Sequence, residues 1–179
     1  MKPRGPLMIE HRLIEKMIAV IKDKMAIMRK QNRVDPVFID AAVDFIRIYA
    51  DKTHHGKEED ILFRDLARKN ISDEDKRGMQ ELVDDHVFAR KKVAELVQAK
   101  EDYVAGRKEA LDTVLDRLKT LVEFYPEHIR REDEVFFPDT EKYFTRDELD
   151  AMLAEFREFD KKMIHEKYKA VVEQWKQGA

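Results

Sequence analysis

The sequence predicts an all-α protein, folded as an antiparallel up-down four-helix bundle with an additional C-terminal helix. Gly and Pro each occur only five times in 179 residues, which favours helix over sheet. Apolar side chains recur with the period of a helix, and short links separate the periodic segments. The length suits one well-buried domain, and no linker or low-complexity stretch divides it. A single domain over residues 1–179 is therefore expected.

Local signals bound the first two helices. The first is expected to run from near Pro6 to about Lys30, over which its apolar residues follow a helical period. The second is expected to open at Asp35 and Pro36, because Asp is a good N-cap and Pro is favoured at the first helical position. Its apolar pattern continues to about Leu66.

The third helix is expected to begin at Ser72, because the three acidic residues after it suit a first helical turn. Gly106 is placed to terminate it. The fourth helix is expected to run from about Arg107 to Phe137, where the following Pro138 should stop it.

The last helix is expected to begin at Thr145, where residues 145–148 have the form of a capping box, and to reach Trp175. Two residues break helix rules elsewhere. Pro126 lies inside the fourth helix and should kink it, and Gly56 lies inside the second. Each is explained equally well by a functional site nearby or by packing, Pro126 bending its helix around the core and Gly56 allowing close approach.

Composition and charge exclude several classes of function. The 35 basic and 38 acidic residues leave a net charge of −3 and are interspersed, so no basic stripe indicates nucleic-acid binding. The absence of cysteine excludes disulfides, thiolate zinc sites and iron–sulfur ligation by the chain. No apolar run is long enough for a signal peptide or a membrane span, so a cytoplasmic protein without a membrane partner is expected.

One short pattern occurs twice and indicates a metal site. Residues His54–Phe63 and His128–Phe137 align without a gap, each with a His, a Glu four residues later and an apolar pair at the end. On a helix, residues i and i+4 share a face, so each copy directs an imidazole and a carboxylate to one point. Helical bundles supply metal ligands in this way, from facing helices.

The other histidines extend the pattern to every predicted helix. His11 lies on the first helix, His86 on the third and His165 on the last. Taken alone, each is more often a surface or hydrogen-bonded histidine than a ligand. The second helix leaves its register open, because His55 and Glu59 also keep the i, i+4 relation. His54 and Glu58 are preferred, since their alignment also matches the trailing apolar pair.

These segments resemble the hemerythrin-like, or HHE cation-binding, family over nearly the whole chain. The segments that carry the resemblance are Glu10–Glu15, His54–Phe63, Asp85–His86, Glu127–Pro138 and, for a subgroup, Met163–Tyr168. The resemblance implies a four-helix bundle around a non-haem di-iron centre, with histidines from all four helices and two bridging carboxylates. The implied ligands are His11, His54, His86 and His128, with Glu58 and Glu132 as the bridging carboxylates.

The third helix departs from the oxygen-carrier pattern of that family, which has two histidines four residues apart. Leu82 and Arg90 occupy the positions four residues from His86, and neither side chain can ligate iron. A fifth nitrogen must come from elsewhere or be replaced by solvent. His165 on the last helix is the first candidate, and His55 is the second. Tyr125, one turn before His128, could donate a hydrogen bond near the metal, although a core tyrosine is the simpler interpretation.

Imidazole and carboxylate ligands without thiolate suit iron in its two common oxidation states, and could also hold Zn or Mn. The resemblance implies two iron ions. Three functions fit such a site. The first is binding of O2 or NO for sensing, storage or iron and redox handling, which we favour. The second is an enzyme that acts on peroxide or NO, or that supports iron–sulfur repair. The third is a non-redox cation-binding domain. The sequence leaves open whether the protein is an enzyme.

Overall fold

The computed structural model describes the backbone of residues 2–176 and the side chains of residues 2–163 and Lys167. Within these residues every regular element is helical and no strand occurs, which confirms the predicted all-α class. The α-helices are α1 (Arg4–Gln31), α2 (Pro36–Phe45), α3 (Arg64–Leu66), α4 (Asp73–Val104), α5 (Ala110–Arg131), α6 (Phe137–Thr140) and α7 (Arg146–Lys176). Three π-helical segments are π1 (Ile46–His55), π2 (Glu58–Phe63) and π3 (Glu132–Phe136), and a 3-10 turn covers Glu141–Tyr143.

The predicted helix starts at Asp35 and Ser72 are confirmed by their capping bonds. The Asp35 carboxylate accepts a hydrogen bond from the Phe38 backbone N–H at 3.1 Å. The Ser72 hydroxyl accepts one from the Asp75 N–H at 3.1 Å. Both bonds satisfy backbone donors that the first helical turn leaves free.

The predicted boundaries after α4 and before α7 are also found. Gly106 has φ +99°, a left-handed conformation that costs glycine little and ends the helix. The Thr145 backbone N–H donates to the Glu148 carboxylate at 2.8 Å, and the Glu148 N–H donates to the Thr145 hydroxyl at 3.3 Å. This is the reciprocal pair of a capping box.

The sequence predicts that the helix carrying the second copy of the motif stops at Pro138, and this prediction is wrong. The helix continues through π3 and α6 to Thr140. Pro138 lies in the first turn of α6, where a missing N–H is tolerated because that donor has no helical acceptor in any case. Upstream, α5 is continuous through Pro126.

Both copies of the motif depart from regular α-helix. Residues 46–55 and 58–63 around the first copy, and 132–136 within the second, are π-helical. A π-helix bonds residue i to i+5 and so turns less per residue, and such segments concentrate at functional sites. The only α-helical residues between π1 and π2 are Gly56 and Lys57.

The long helices pack so that polar residues meet between two apolar clusters. The α5 helix contacts both α1 and α4, and the helix from α2 to π2 contacts α4 and α1, while α7 lies against π1 and π2. One apolar cluster extends from Ile14 to Ile129 and the other includes Leu7, Ile61 and Phe136. The four helices that carry His11, His54, His86 and His128 therefore each change from one apolar cluster to the other near these His residues or the following Glu.

The described helices include none that is both long enough and apolar enough to span a bilayer.

The close approach of α7 to the first motif copy yields a test at Gly56. A Cβ on Gly56 would lie 2.7 Å from Cζ of Phe159, whereas a Cβ on Gly78 would lie 3.6 Å from its nearest neighbour, in Phe136. Ala in place of a helical Gly gains about 1 kcal/mol, but overpacking costs about 1–3 kcal/mol. We expect Gly78→Ala to raise the free energy of unfolding, measured with denaturant. The free energy of unfolding of Gly56→Ala should be about 1–3 kcal/mol lower than that of Gly78→Ala. Equal changes in the two variants would show that Phe159 moves aside freely.

Candidate metal centre

Five histidines and two glutamates meet in the polar layer between the apolar clusters. All seven side chains are buried, with at most 2% exposure. They form two groups in which the candidate ligand atoms all lie within 4.8 Å of one another. One group is His11, His54, Glu58 and Glu132, and the other is His55, His86 and His128.

The two glutamates connect the groups. Glu58 places Oε1 3.3 Å from His54 Nε2 and Oε2 3.4 Å from His86 Nε2. Glu132 places Oε2 3.2 Å from His11 Nε2 and 3.4 Å from His128 Nε2, and its Oε1 is 3.8 Å from His86 Nε2. Each carboxylate therefore faces histidines of both groups, as a carboxylate that bridges two cations would.

The atoms that face the centre of this layer have no hydrogen-bond partners among the described residues. They are Nε2 of His11, His54, His86 and His128 and both carboxylate oxygens of Glu58 and Glu132. Buried polar atoms are nearly always hydrogen-bonded, because an unsatisfied one costs about 1–3 kcal/mol. Eight such atoms at one point, all of them good ligands for hard and borderline cations, fit a bound metal pair.

The opposite nitrogen of each of the five histidines faces a carboxylate. The pairs, by Nδ1–oxygen distance, are His11–Asp133 at 2.7 Å, His54–Glu10 at 2.9 Å, His55–Asp51 at 3.3 Å, His86–Glu59 at 2.7 Å and His128–Asp85 at 3.1 Å. A carboxylate at Nδ1 holds the proton there and leaves the Nε2 lone pair free for a metal. The outer layer thus orients all five rings toward the centre.

These outer carboxylates are in turn paired with cations, one further step from the centre. Arg12 pairs with Asp133, Lys57 with Glu10, Arg131 with Asp85, and Arg90 with both Asp51 and Glu59. Opposite charges in alternating layers offset the cost of burying so many acids. Sequence reasoning did not identify these cations, because arginines and lysines on a helix give the same pattern as solvated residues.

Lys57 is the only fully buried lysine among the described side chains. Its ammonium donates to Glu10 and to the Asp160 carboxylate at 2.7 Å. Because Asp160 belongs to α7 and Glu10 binds His54, Lys57 ties the C-terminal helix to the metal centre.

The surrounding carboxylates raise the pKa of three histidines. Burial alone would lower the pKa of each, but it is outweighed. The carboxylates of Asp133 and Glu132 raise the pKa of His11 to about 10. Glu58 and Glu10 raise the pKa of His54 to about 9, and the pKa of His86 is likewise raised to about 9, by Glu132 and Glu59.

The other two histidines of the cluster are shifted in the opposite direction. Burial, with the charge of His86 adding to it, holds the pKa of His55 well below its ordinary value. Burial also lowers the pKa of His128. For Glu132, burial would raise the pKa, but the charges of His128 and His11 hold it well below the usual range. Protons on three histidines thus supply the positive charge that cations would otherwise bring.

The second helix brings both of its adjacent histidines inward. His54 and His55 are 1% and 2% exposed. Because a π-helix rotates less per residue than an α-helix, the side chains of neighbouring residues point in more similar directions. Glu58 points to the centre, as preferred from the sequence, while Glu59 lies one layer out, at Nδ1 of His86. The His55 ring stacks on that of His86, with centroids 3.7 Å apart.

The structure also places the two remaining candidates. Tyr125 is 1% exposed, and its hydroxyl has no hydrogen-bond partner in the described part of the chain. The side chain of His165 lies outside the described residues.

The protonated histidines make metal binding pH-dependent. A metal takes the Nε2 lone pair, so loading must displace the protons of His11, His54 and His86. We expect about three protons released per chain when Zn²⁺ is titrated into metal-free protein at pH 7–8, and tighter binding as pH rises toward 9. Calorimetry in two buffers of different ionisation enthalpy measures this number. Release of fewer than one proton would contradict the assigned protonation.

The sequence matches the Hemerythrin HHE cation binding domain family over residues 6–140, and a second match overlaps the first over residues 77–178. No curated protein and no solved structure matches the chain. The first match contains all seven clustered side chains, from His11 to Glu132. The chain therefore belongs to the hemerythrin HHE cation-binding domain family.

Proposed function

We propose that this chain is a non-haem di-iron protein that binds a small diatomic ligand, O2 or NO, for sensing, storage or redox handling. The observation that carries the proposal is the set of eight buried nitrogen and oxygen atoms that face one another without hydrogen bonds. Such a set is costly unless protons or cations occupy it, and all eight atoms are good ligands for a cation.

Two cations, rather than one, fit the arrangement of the ligands. The two histidine groups are distinct, and Glu58 and Glu132 each face both of them. Two carboxylates shared between neighbouring cations offset the repulsion between those cations. Two-metal sites in proteins have cations roughly 3.5–4 Å apart, which a bridging carboxylate spans.

Iron is the proposed metal because the ligands are imidazole and carboxylate without thiolate. The same ligands also suit Zn or Mn, which makes metal identity a matter for measurement. When bound, a pair of iron ions would supply the electrons for reversible binding of O2.

The two groups differ in their number of nitrogen ligands, and this difference suits binding of a small molecule. The group with His55, His86 and His128 has three histidines, whereas the other has only His11 and His54. A metal with fewer protein ligands keeps a position for an exogenous ligand. Phe137 stacks on His11, with ring centroids 5.9 Å apart, and Phe63 stacks on His86 at 6.2 Å. These aromatic rings limit access of water to the centre.

We propose that His55 is the fifth nitrogen ligand, in place of the second histidine that the third helix lacks. His55 is buried beside His86 and His128, and Asp51 faces its Nδ1 as a carboxylate faces each of the other four. His165, the first candidate from the sequence, has no described side chain to compare.

We also propose that residues 1–179 form one domain with the long helices antiparallel. The links between successive long helices are short, which favours antiparallel neighbours. The packing of α5 against both α1 and α4 supports the same arrangement.

The visible spectrum of iron-loaded protein tests this function. We expect charge-transfer bands that appear when O2 or NO is admitted and disappear when the gas is removed. Irreversible oxidation, or a spectrum that does not respond to either gas, would contradict the proposal.

Two histidine variants serve as a matched pair in that experiment. His55→Ala removes a proposed ligand and should lower iron affinity more than tenfold and change the spectrum, since even an outer partner of a ligand contributes about 10–100-fold. His165→Ala should behave like the parent protein. The reverse pattern would assign the fifth nitrogen to His165.

A further inference from the structure

A cavity of about 540 Å³ lies between the second helix and α4, and His55 and His86 line its inner end. Its volume falls within the range of about 300–1,000 Å³ that is typical of sites for organic ligands. A diatomic molecule needs a volume near that of a water molecule, about 30 Å³. The proposed binding of O2 or NO therefore does not account for a cavity of this size.

Aliphatic side chains form the walls of the cavity along its length. Val43 and Ile46 line it from the second helix, and Ala89, Val93 and Val97 line it from α4. The apolar wall of α4, from Ala89 to Val97, extends about 12 Å along the helix axis. An aliphatic chain of similar length would gain free energy here by leaving water.

The carboxylates that line the cavity are already held in ion pairs. With their partners they are Asp40 and Glu101 with Lys100, Asp44 with Lys167 at 3.2 Å, and Asp51 with Arg90 at 2.8 Å. A cationic ligand would therefore have to displace a basic side chain of the protein before it could pair with a carboxylate. Such an exchange of one cation for another gains little free energy.

Two basic side chains of the lining, Arg47 and Lys52, have no carboxylate partner within the part of the chain that the structure describes. Both are exposed to solvent. Both belong to π1 and are separated by the i to i+5 spacing of the π-helical bond, so they lie about one turn apart on the same side of the helix. The cavity therefore has two neighbouring cations on one wall, and both can donate hydrogen bonds to an anion.

The ion pairs across the cavity show where these two cations lie along it. Asp40 faces Lys100 at one end, and Asp51 faces Arg90 nearer to the metal centre. Lys52 directly follows Asp51 in the second helix. A ligand whose charged group lies in this inner half can extend its apolar part outward along the aliphatic walls, toward Lys100.

We propose that this cavity binds an amphipathic organic anion, a carboxylic acid with an aliphatic body, with its carboxylate at Arg47 and Lys52 and its body along Val93 and Val97. Hydrogen bonds from guanidinium and ammonium groups to a carboxylate are about twice as strong as neutral ones. Because both cations are exposed, salt screens their attraction, and the aliphatic walls supply most of the affinity. The site does not depend on the proposed diatomic ligand, since no metal ligand holds the anion.

The test is a calorimetric titration of the metal-loaded protein with three probes that share an eight-carbon chain. We expect octanoate to bind with a Kd below about 1 mM, in the range of small ligands. 1-Octanol lacks the charge and should bind about fivefold more weakly. Octylammonium carries the opposite charge and should bind more than tenfold more weakly. Raising the salt concentration from about 0.05 M to about 0.5 M should weaken octanoate at least twofold without weakening 1-octanol.

Two sets of variants locate the ligand. Arg47→Gln combined with Lys52→Gln should weaken octanoate about fivefold and leave 1-octanol unchanged. Lys91→Gln removes an exposed cation of α4 outside the lining and should change neither. Val97→Phe narrows the cavity and should weaken both probes more than tenfold, whereas Val104→Phe, at a position 57% exposed on α4, should change neither. Thermal unfolding of each variant confirms that it folds.

Four results would overturn the proposal. The first is no binding of octanoate by the parent protein. The second is equal affinity for octanoate and octylammonium, which would mean that the site does not select an anion. The third is octanoate binding that survives the loss of both Arg47 and Lys52, because the carboxylate would then lie elsewhere, the metal centre included. The fourth is equal weakening by Val97→Phe and Val104→Phe.

Discussion

Two buried carboxylates, Glu58 and Glu132, determine how the rest of this structure is arranged. A negative charge taken out of water is stable only when cations or hydrogen-bond donors face it. Here the four carboxylate oxygens face histidine nitrogens from four helices, at 3.2–3.8 Å. The bundle can close over this layer only with positive charge in it, whether as protons on the histidines or as metal ions. Folding, protonation and metal binding are therefore coupled at one place.

The same constraint applies further from the centre, where acidic and basic side chains alternate. Each of the five histidines has a carboxylate at Nδ1, and each carboxylate has a basic partner beyond it. Along one such line His54 contacts Glu10, Glu10 contacts Lys57, and Lys57 contacts Asp160 on α7. A change in the packing of α7 thus reaches the centre through only two side chains. Arg90 has a different position, since it pairs with Asp51 and Glu59, which are the partners of His55 and His86.

The fold class and most of the clustered residues could be predicted from the sequence. The repeated His and Glu at i, i+4 pointed to the two motif copies, and local capping residues such as Asp35 and Ser72 located helix starts. The π-helical segments could not be predicted, because residue identity gives no signal for an i to i+5 bond. For this reason the sequence forced a choice between His54 and His55, whereas the structure turns both inward. Lys57 was missed because a buried lysine resembles a solvated one until its partners on other helices are known.

The number of metal ions per chain tests the account most directly, compared between the parent protein and two acidic variants. Glu132→Ala removes a carboxylate that faces both histidine groups, while Glu134→Ala removes an acid two residues away whose side chain is 63% exposed. The account predicts about two metal ions per chain in the parent protein and in Glu134→Ala, and no more than about one in Glu132→Ala. A single ion in the parent protein, or equal content in all three proteins, would contradict a two-metal centre bridged by Glu58 and Glu132.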